Sequence, residues 1–133
     1  MKLRQVALVA ENLALARQQF FQLLGLNDDF VDEGLGFFGL KNSVMTIGET
    51  FLEIVSPKQD NTTAGRLLER RQGDGGYMIL VQVADIAPVR ALIDSLGIRK
   101  VWEAEREEVT AFHVHPKDIG AAIVSFDEMR PAE

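Results

Sequence analysis

The sequence predicts an α+β protein built from two βαβββ modules, whose strands form a curled mixed sheet with the helices outside. Three observations predict it. Segments with a period of two residues are interleaved with two stretches of helical periodicity. The helix starts recur, Asn12-Leu13 matching Asp85-Ile86 at an offset of 73. The helix stops recur as well, Leu24-Gly25-Leu26 matching Leu96-Gly97-Ile98 at an offset of 72. A repeat of this length is one supersecondary unit. One such module leaves a bare sheet edge and an uncovered face, so two must pair to close a core.

Each element follows in order. Residues 3–10, LRQVALVA, alternate and read as a strand. Asn12 offers a side-chain oxygen as N-cap, and Leu13, Ala16, Phe20, Leu23 and Leu24 form one helical stripe. Gly25 supplies a left-handed stop. Short strands are expected at 29–32, 36–40, 44–47 and 50–56, with turns at Lys41-Asn42 and at Gly48-Glu49, the second of two-residue hairpin size. Module one, 1–57, closes at Pro57. The connector, 58–75, carries a short helix AGRLLERR capped by Thr62 or Thr63. Module two, 76–133, repeats the pattern: a strand at 77–83, Asp85 as N-cap, and a stripe of Ile86, Val89, Leu92, Ile93 and Leu96. Pro88 sits in the first turn, where its missing N–H costs little, and Gly97 ends the helix. Strands near 100–104, 108–115 and 121–126 bring the sheet to about eight.

Composition narrows the function. With 133 residues the chain suits a single domain, 1–133, and 47% hydrophobic with 26% charged residues argues for a packed core over disorder. A net charge of -6 disfavours nucleic acid, because phosphate binding draws on Lys and Arg. Arg66, Arg70 and Arg71 are the only dense basic cluster and read as a solvated helix face. Without cysteine there is no disulfide framework, thiolate metal site or Cys nucleophile. The amino terminus lacks a sustained apolar stretch and a small-residue cleavage site, and no apolar run reaches the ~20 residues of a membrane helix. A cytoplasmic protein without a membrane partner is expected.

Strand alternation then sorts side chains by face. Leu3, Gln5, Ala7 and Val9 share one, as do Phe51, Glu53 and Val55, then Met78, Leu80 and Gln82, then Ile123 and Ser125. The internal offset pairs Gln5 with Met78 and Glu53 with Ser125, so the four are expected about a pseudo-twofold axis in a cup for a small molecule. His113 and His115, the only histidines, lie two apart on one expected strand. His113 is a candidate acid–base group or ligand contact. His115 opens the HPKDIG segment and is expected to bond the turn backbone. Lys117 reads as solvated, GDGG at 73–76 as a turn, and Tyr77, on the face opposite Met78, as packing.

The repeated punctuation (EN-L and AD-I at the helix starts, LGL and LGI at their ends) together with HPKDIG resembles the vicinal oxygen chelate superfamily of glyoxalases, bleomycin resistance proteins and dioxygenases. FLEIVSP, TTAGRLLERR and HPKDIG are most similar to methylmalonyl-CoA epimerase. The resemblance implies a glyoxalase-like fold that often dimerises, so a homodimer is expected. It also implies one divalent ion, held by a His on each module's first strand and by carboxylate or amide groups on the module-ending strands. Those positions are Gln5, Met78, Glu53 and Ser125 here. Only Glu53 is a good ligand: a Gln amide is weak, a Met thioether suits soft copper, and a neutral Ser is poor. No metal and no other cofactor is therefore expected. Glu53 on an apolar face is a candidate general base, since desolvation raises a carboxyl pKa. Glu53 and His113 form the catalytic candidates, and Gln5, Met78, Ser125, Ala7 and Phe51 the ligand-binding ones. Two functions follow. One is a small-molecule-binding protein of the bleomycin-resistance kind. The other is a lyase or isomerase, metal-independent or with an atypical metal, acting on a small carbonyl, hydroxy-acid or thioester with Glu53 as base.

Overall fold

In chain order the elements are β1 (Lys2–Val9), α1 (Leu13–Leu24), a 3₁₀ helix (Glu33–Phe38), β2 (Leu40–Ile47), β3 (Thr50–Pro57), α2 (Thr63–Arg71), β4 (Gly75–Val83), α3 (Ile86–Ser95), β5 (Lys100–Glu105), β6 (Val109–Val114), α4 (Pro116–Ile119) and β7 (Ile123–Met129). This computed structural model describes residues 1–105, 109–119 and 122–129, without the side chains at 35, 37 and 119. Glu108 and Ala121, expected as strand starts, and Gly120 of HPKDIG lie outside the described residues. The chain divides into two compact units, Val6–Tyr77 and the pair Met1–Gln5 with Met78–Glu133.

In the unit Val6–Tyr77 the strand order is β2-β3-β1. β2 and β3 are an antiparallel hairpin in register from Leu40↔Pro57 to Ile47↔Thr50. The two-residue turn between them forms as expected, with Gly48 at φ 59°. Asn12 caps α1 by accepting the Leu15 N–H at 3.1 Å, and Gly25 ends it at φ 67°. Ala16 packs with Ala10, Met45 and Ile54, joined by Leu13, Phe20 and Phe21. The expected stripe is rotated: Phe21 turns inward while Leu23 is 78% exposed and Leu24 also faces solvent. Inward rotation buries the larger aromatic surface. Thr62 is the α2 cap, its Oγ1 accepting the Gly65 N–H at 2.9 Å. Ala64 and Leu68 of α2 pack onto Val9, Leu40 and Val55.

The strands expected at 29–32 and 36–40 do not form. A single bridge, Phe30↔Val44, stands for the first, and the 3₁₀ helix occupies the second. Side chains of β2 take the place of a ladder partner. The buried Asn42 amide accepts the Asp32 N–H at 2.8 Å and donates to the Asp32 carbonyl at 2.9 Å. Ser43 donates to Asp29 at 2.6 Å, and Arg17 clasps the same carboxylate through Nε and Nη2 at 2.7 and 2.8 Å. Lys41-Asn42 is therefore no turn, and β2 runs straight through it. The described part of module one is β-α-β-β, and the described residues hold seven strands, not eight.

The other unit keeps β-α-β-β-β, in the order β4-β7-β6-β5, and residues 2–5 of β1 belong to it. β4 and β7 are parallel, while β7, β6 and β5 alternate antiparallel. Asp85 caps α3 by accepting the Ala87 N–H, and Gly97 follows it at φ 69°. Ile86, Ile93 and Val89 pack on Val83, Phe112, Val114 and Val124. Leu92 and Leu96, expected in the stripe, are exposed. β4 begins at Gly75, so only the start of GDGG is a turn. HPKDIG is helical where a hairpin was expected: α4 begins after His115, whose carbonyl accepts the Asp118 N–H at 3.0 Å. His115 lies past the end of β6, and its Nδ1 accepts the Lys117 N–H at 3.1 Å, the backbone role expected of it. The Arg99 guanidinium grips Asp118 and holds its carboxyl well below the usual carboxylate range.

Candidate functional site

In the unit Val6–Tyr77, β3 turns Leu52 and Ile54 toward α1. Phe51, Glu53 and Val55 therefore point to the opposite face, beside Thr46, Val44 and Asn42 of β2. Glu53 is only 5% exposed, and its Oε2 has no contact with solvent. Many of the side chains on this face are apolar. Ala7, Val9, Val44 and Val55 are all buried, and Phe30 meets Phe51 edge to face at 5.9 Å. At one end of this face α2 packs on Val9 and Val55, and Tyr77 packs there too. Burial pushes the Tyr77 phenol up, and the Glu53 charge pushes it further, with Arg66 pulling the other way. Tyr77 packs as expected, and it does so within reach of the Glu53 charge. Alternation alone hid this, because it assigned Tyr77 only a face relative to Met78.

In the other unit the register lines up Leu80, Ser125, His113 and Trp102 in one cross-strand row. Met78 stands opposite Ile123, two residues before Ser125 and hence on the same face. Ser125 is buried, and its Oγ donates to Asp127 Oδ1 at 2.5 Å. The Asp127 carboxylate also takes Arg4 Nη1 at 3.1 Å. Sequence reasoning missed Asp127, though alternation from Ser125 places it on the same face. The His113 ring lies 4.4 Å from that of Trp102. Burial lowers His113 to about 4, so its imidazole is neutral near pH 7. The structure thus brings Ser125 and His113 together. Ala7, Phe51 and Glu53 are gathered in the unit Val6–Tyr77, and Gln5 is half-buried at the end of the β1 segment that belongs with Met78.

The divalent ion that the resemblance implies would find poor donors here. Glu53 offers a carboxylate, but Gln5, Met78 and Ser125 offer an amide, a thioether and a hydroxyl. Among the described residues no three His, Asp or Glu side chains group as a metal site. These residues do not fit the ion.

One concavity was not legible in the sequence. A cleft of about 710 Å³ lies beside α2, lined by Glu11, Pro57, Gln59, Asn61, Arg66 and Glu69 among others. Arg66 is tethered at its edge, donating to the Asn61 carbonyl at 2.9 Å. The remaining basic side chains of α2, Arg70 and Arg71, are solvated as expected.

No protein-family model matches the sequence, and no curated protein matches it. Solved structures do match. Methylmalonyl-CoA epimerase from Mycobacterium tuberculosis aligns with a TM-score of 0.77 at 19% identity, covering 97% of this chain and 88% of that one. A hypothetical protein from Bacillus halodurans C-125 aligns at 0.83 and 17% identity, covering 99% and 96%. A Streptomyces coelicolor methylmalonyl-CoA epimerase in complex with 2-nitronate-propionyl-CoA aligns at 0.79 and 17% identity, covering 100% and 97%. The chain shares the glyoxalase-like α+β fold of these epimerases, the fold that its motifs implied.

Proposed function

We propose that the protein binds a small carbonyl- or thioester-bearing molecule on the Glu53 face, as a glyoxalase-like binding protein. The observation that carries this reading is Glu53 itself, 5% exposed in an apolar row. Withdrawing a carboxylate from water is costly, and a polar task for a ligand is a reason to keep it there. Ala7 and Phe51 supply apolar contact, with Phe30 at the rim. The likeness to epimerase structures, one of them in complex with a CoA derivative, supports a thioester as the first ligand class to try.

A second reading makes the protein an isomerase or lyase with Glu53 as general base, and the Tyr77 phenol beside that charge favours it. Calorimetric titration with propionyl-CoA, methylmalonyl-CoA and a panel of small carbonyl compounds tests the first reading. It predicts saturable binding by at least one probe, weakened roughly tenfold in Glu53→Gln, the effect of a lost charged hydrogen bond. Absence of binding across the panel, or binding indifferent to Glu53→Gln, contradicts it. If the bound probe is recovered unchanged, binding stands alone. Turnover abolished in Glu53→Gln with binding retained establishes the second reading.

A further inference from the structure

We infer that Tyr77 is a catalytic residue working with Glu53, its phenol donating to the carbonyl oxygen of a ligand whose α-proton Glu53 removes. The inference rests on the reading of the Glu53 face as a carbonyl or thioester site. Tyr77 lies at the start of β4, after Gly75-Gly76, and its ring packs on the cluster of Val9, Val55 and Leu68. Val55 is two residues beyond Glu53 on the same strand and the same face, which sets the phenol and the carboxylate on one surface.

The chemistry needs such a donor. Removing a proton α to a carbonyl leaves charge on the carbonyl oxygen, and that charge must be met by a cation or by fixed donors. The donors on this chain do not suit a hard cation, so a neutral phenol takes the place. The step balances without a co-reactant. The Glu53 carboxylate takes the α-proton, and the C–H electron pair becomes the carbon–carbon double bond of an enolate. The enolate oxygen accepts a hydrogen bond from Tyr77, which keeps its proton. Protonated Glu53 then returns the proton to the α-carbon. The phenol must stay neutral throughout. The charged groups facing it are Glu53 from β3, which with burial keeps it protonated, and Arg66 from α2, which opposes them.

Tyr77 is the only tyrosine in the chain, so tyrosinate absorbance reports on it alone. In an alkaline titration, Glu53→Gln is expected to ionise Tyr77 at lower pH than the wild type, and saturating propionyl-CoA to raise the midpoint in the wild type. The companion measurement is deuterium exchange at the α-carbon of propionyl-CoA and methylmalonyl-CoA in D₂O. Tyr77→Phe keeps the packed ring and is expected to slow exchange roughly hundredfold, the effect of losing one oxyanion donor, with an unaltered circular dichroism spectrum. Exchange as fast in Tyr77→Phe as in the wild type overturns the inference and leaves ligand binding standing. An unchanged tyrosinate midpoint in Glu53→Gln overturns it without reference to any ligand. Failure of the wild type to bind any probe overturns the underlying reading and this inference with it.

Discussion

Burial sets the chemistry of His113. Its half-buried imidazole lies against Trp102, and its pKa falls to about 4 from an ordinary value near 6.5. Between those values the unfolded chain holds a proton that the native protein does not, so stability rises with pH across that window. This contribution is complete above pH 6.5 and is lost as pH falls toward 4. A loss of about 2 to 3 kcal/mol is expected by pH 4.5. His113→Phe keeps an aromatic ring on Trp102 and removes the titration. Urea unfolding at pH 7 and pH 4.5 should show a smaller acid loss in the variant, whereas equal losses contradict the assignment.

Residues on regular strands were legible for a physical reason. Alternation is enforced by the pleat, so the faces of Glu53, Ser125 and His113 follow from counting by two. Asp127 was missed although the same count reaches it, because the expected strand ended at Phe126 and β7 continues to Met129. Tyr77 was underread because its neighbours come from β3 and α2, and no local pattern in β4 records them.

Among the elements, both long helices were legible from their caps, since Asn12, Gly25, Asp85 and Gly97 satisfy backbone groups locally. The misread strands and turns share a cause: side-chain hydrogen bonds that no periodicity in the sequence records. Asn42 looks like a turn residue, yet its amide serves the backbone of Asp32. His115 looks like the end of a strand, yet it starts a helical turn. The Arg17–Asp29–Ser43 clasp ties the 29–32 segment to α1 and β2 where a strand was expected. Its Asp29 carboxyl is held low, first by the hydrogen bond from Arg17. That stabilisation is present above the ordinary carboxylate range and is lost as pH falls through the lowered value. Asp29→Ala should cost about 2 kcal/mol at pH 7, read as a lower urea midpoint with an unchanged slope. A variant as stable as the wild type would show that the clasp contributes nothing.

For the whole molecule, duplication was the strongest signal, because matched caps and stops outlast the loss of sequence identity. The structural matches carry the same lesson: the fold aligns over nearly the whole chain at 17% to 19% identity. The modules have diverged, the first keeping a single bridge at Phe30 where the second keeps strand β5. The cleft beside α2 was invisible in the sequence because it depends on how Glu11 and residues 57–61 come to lie beside a helix.

The account turns on where a ligand sits. Amide and methyl chemical-shift mapping of the isotope-labelled protein, titrated with propionyl-CoA or the best calorimetric probe, reads this directly. The account predicts the largest saturable changes at Val44, Phe51, Val55 and Tyr77, with a midpoint roughly tenfold higher in Glu53→Gln. Changes centred on Glu11, Gln59 and Arg66 of the α2 cleft, with Val44 and Val55 unmoved, would contradict it.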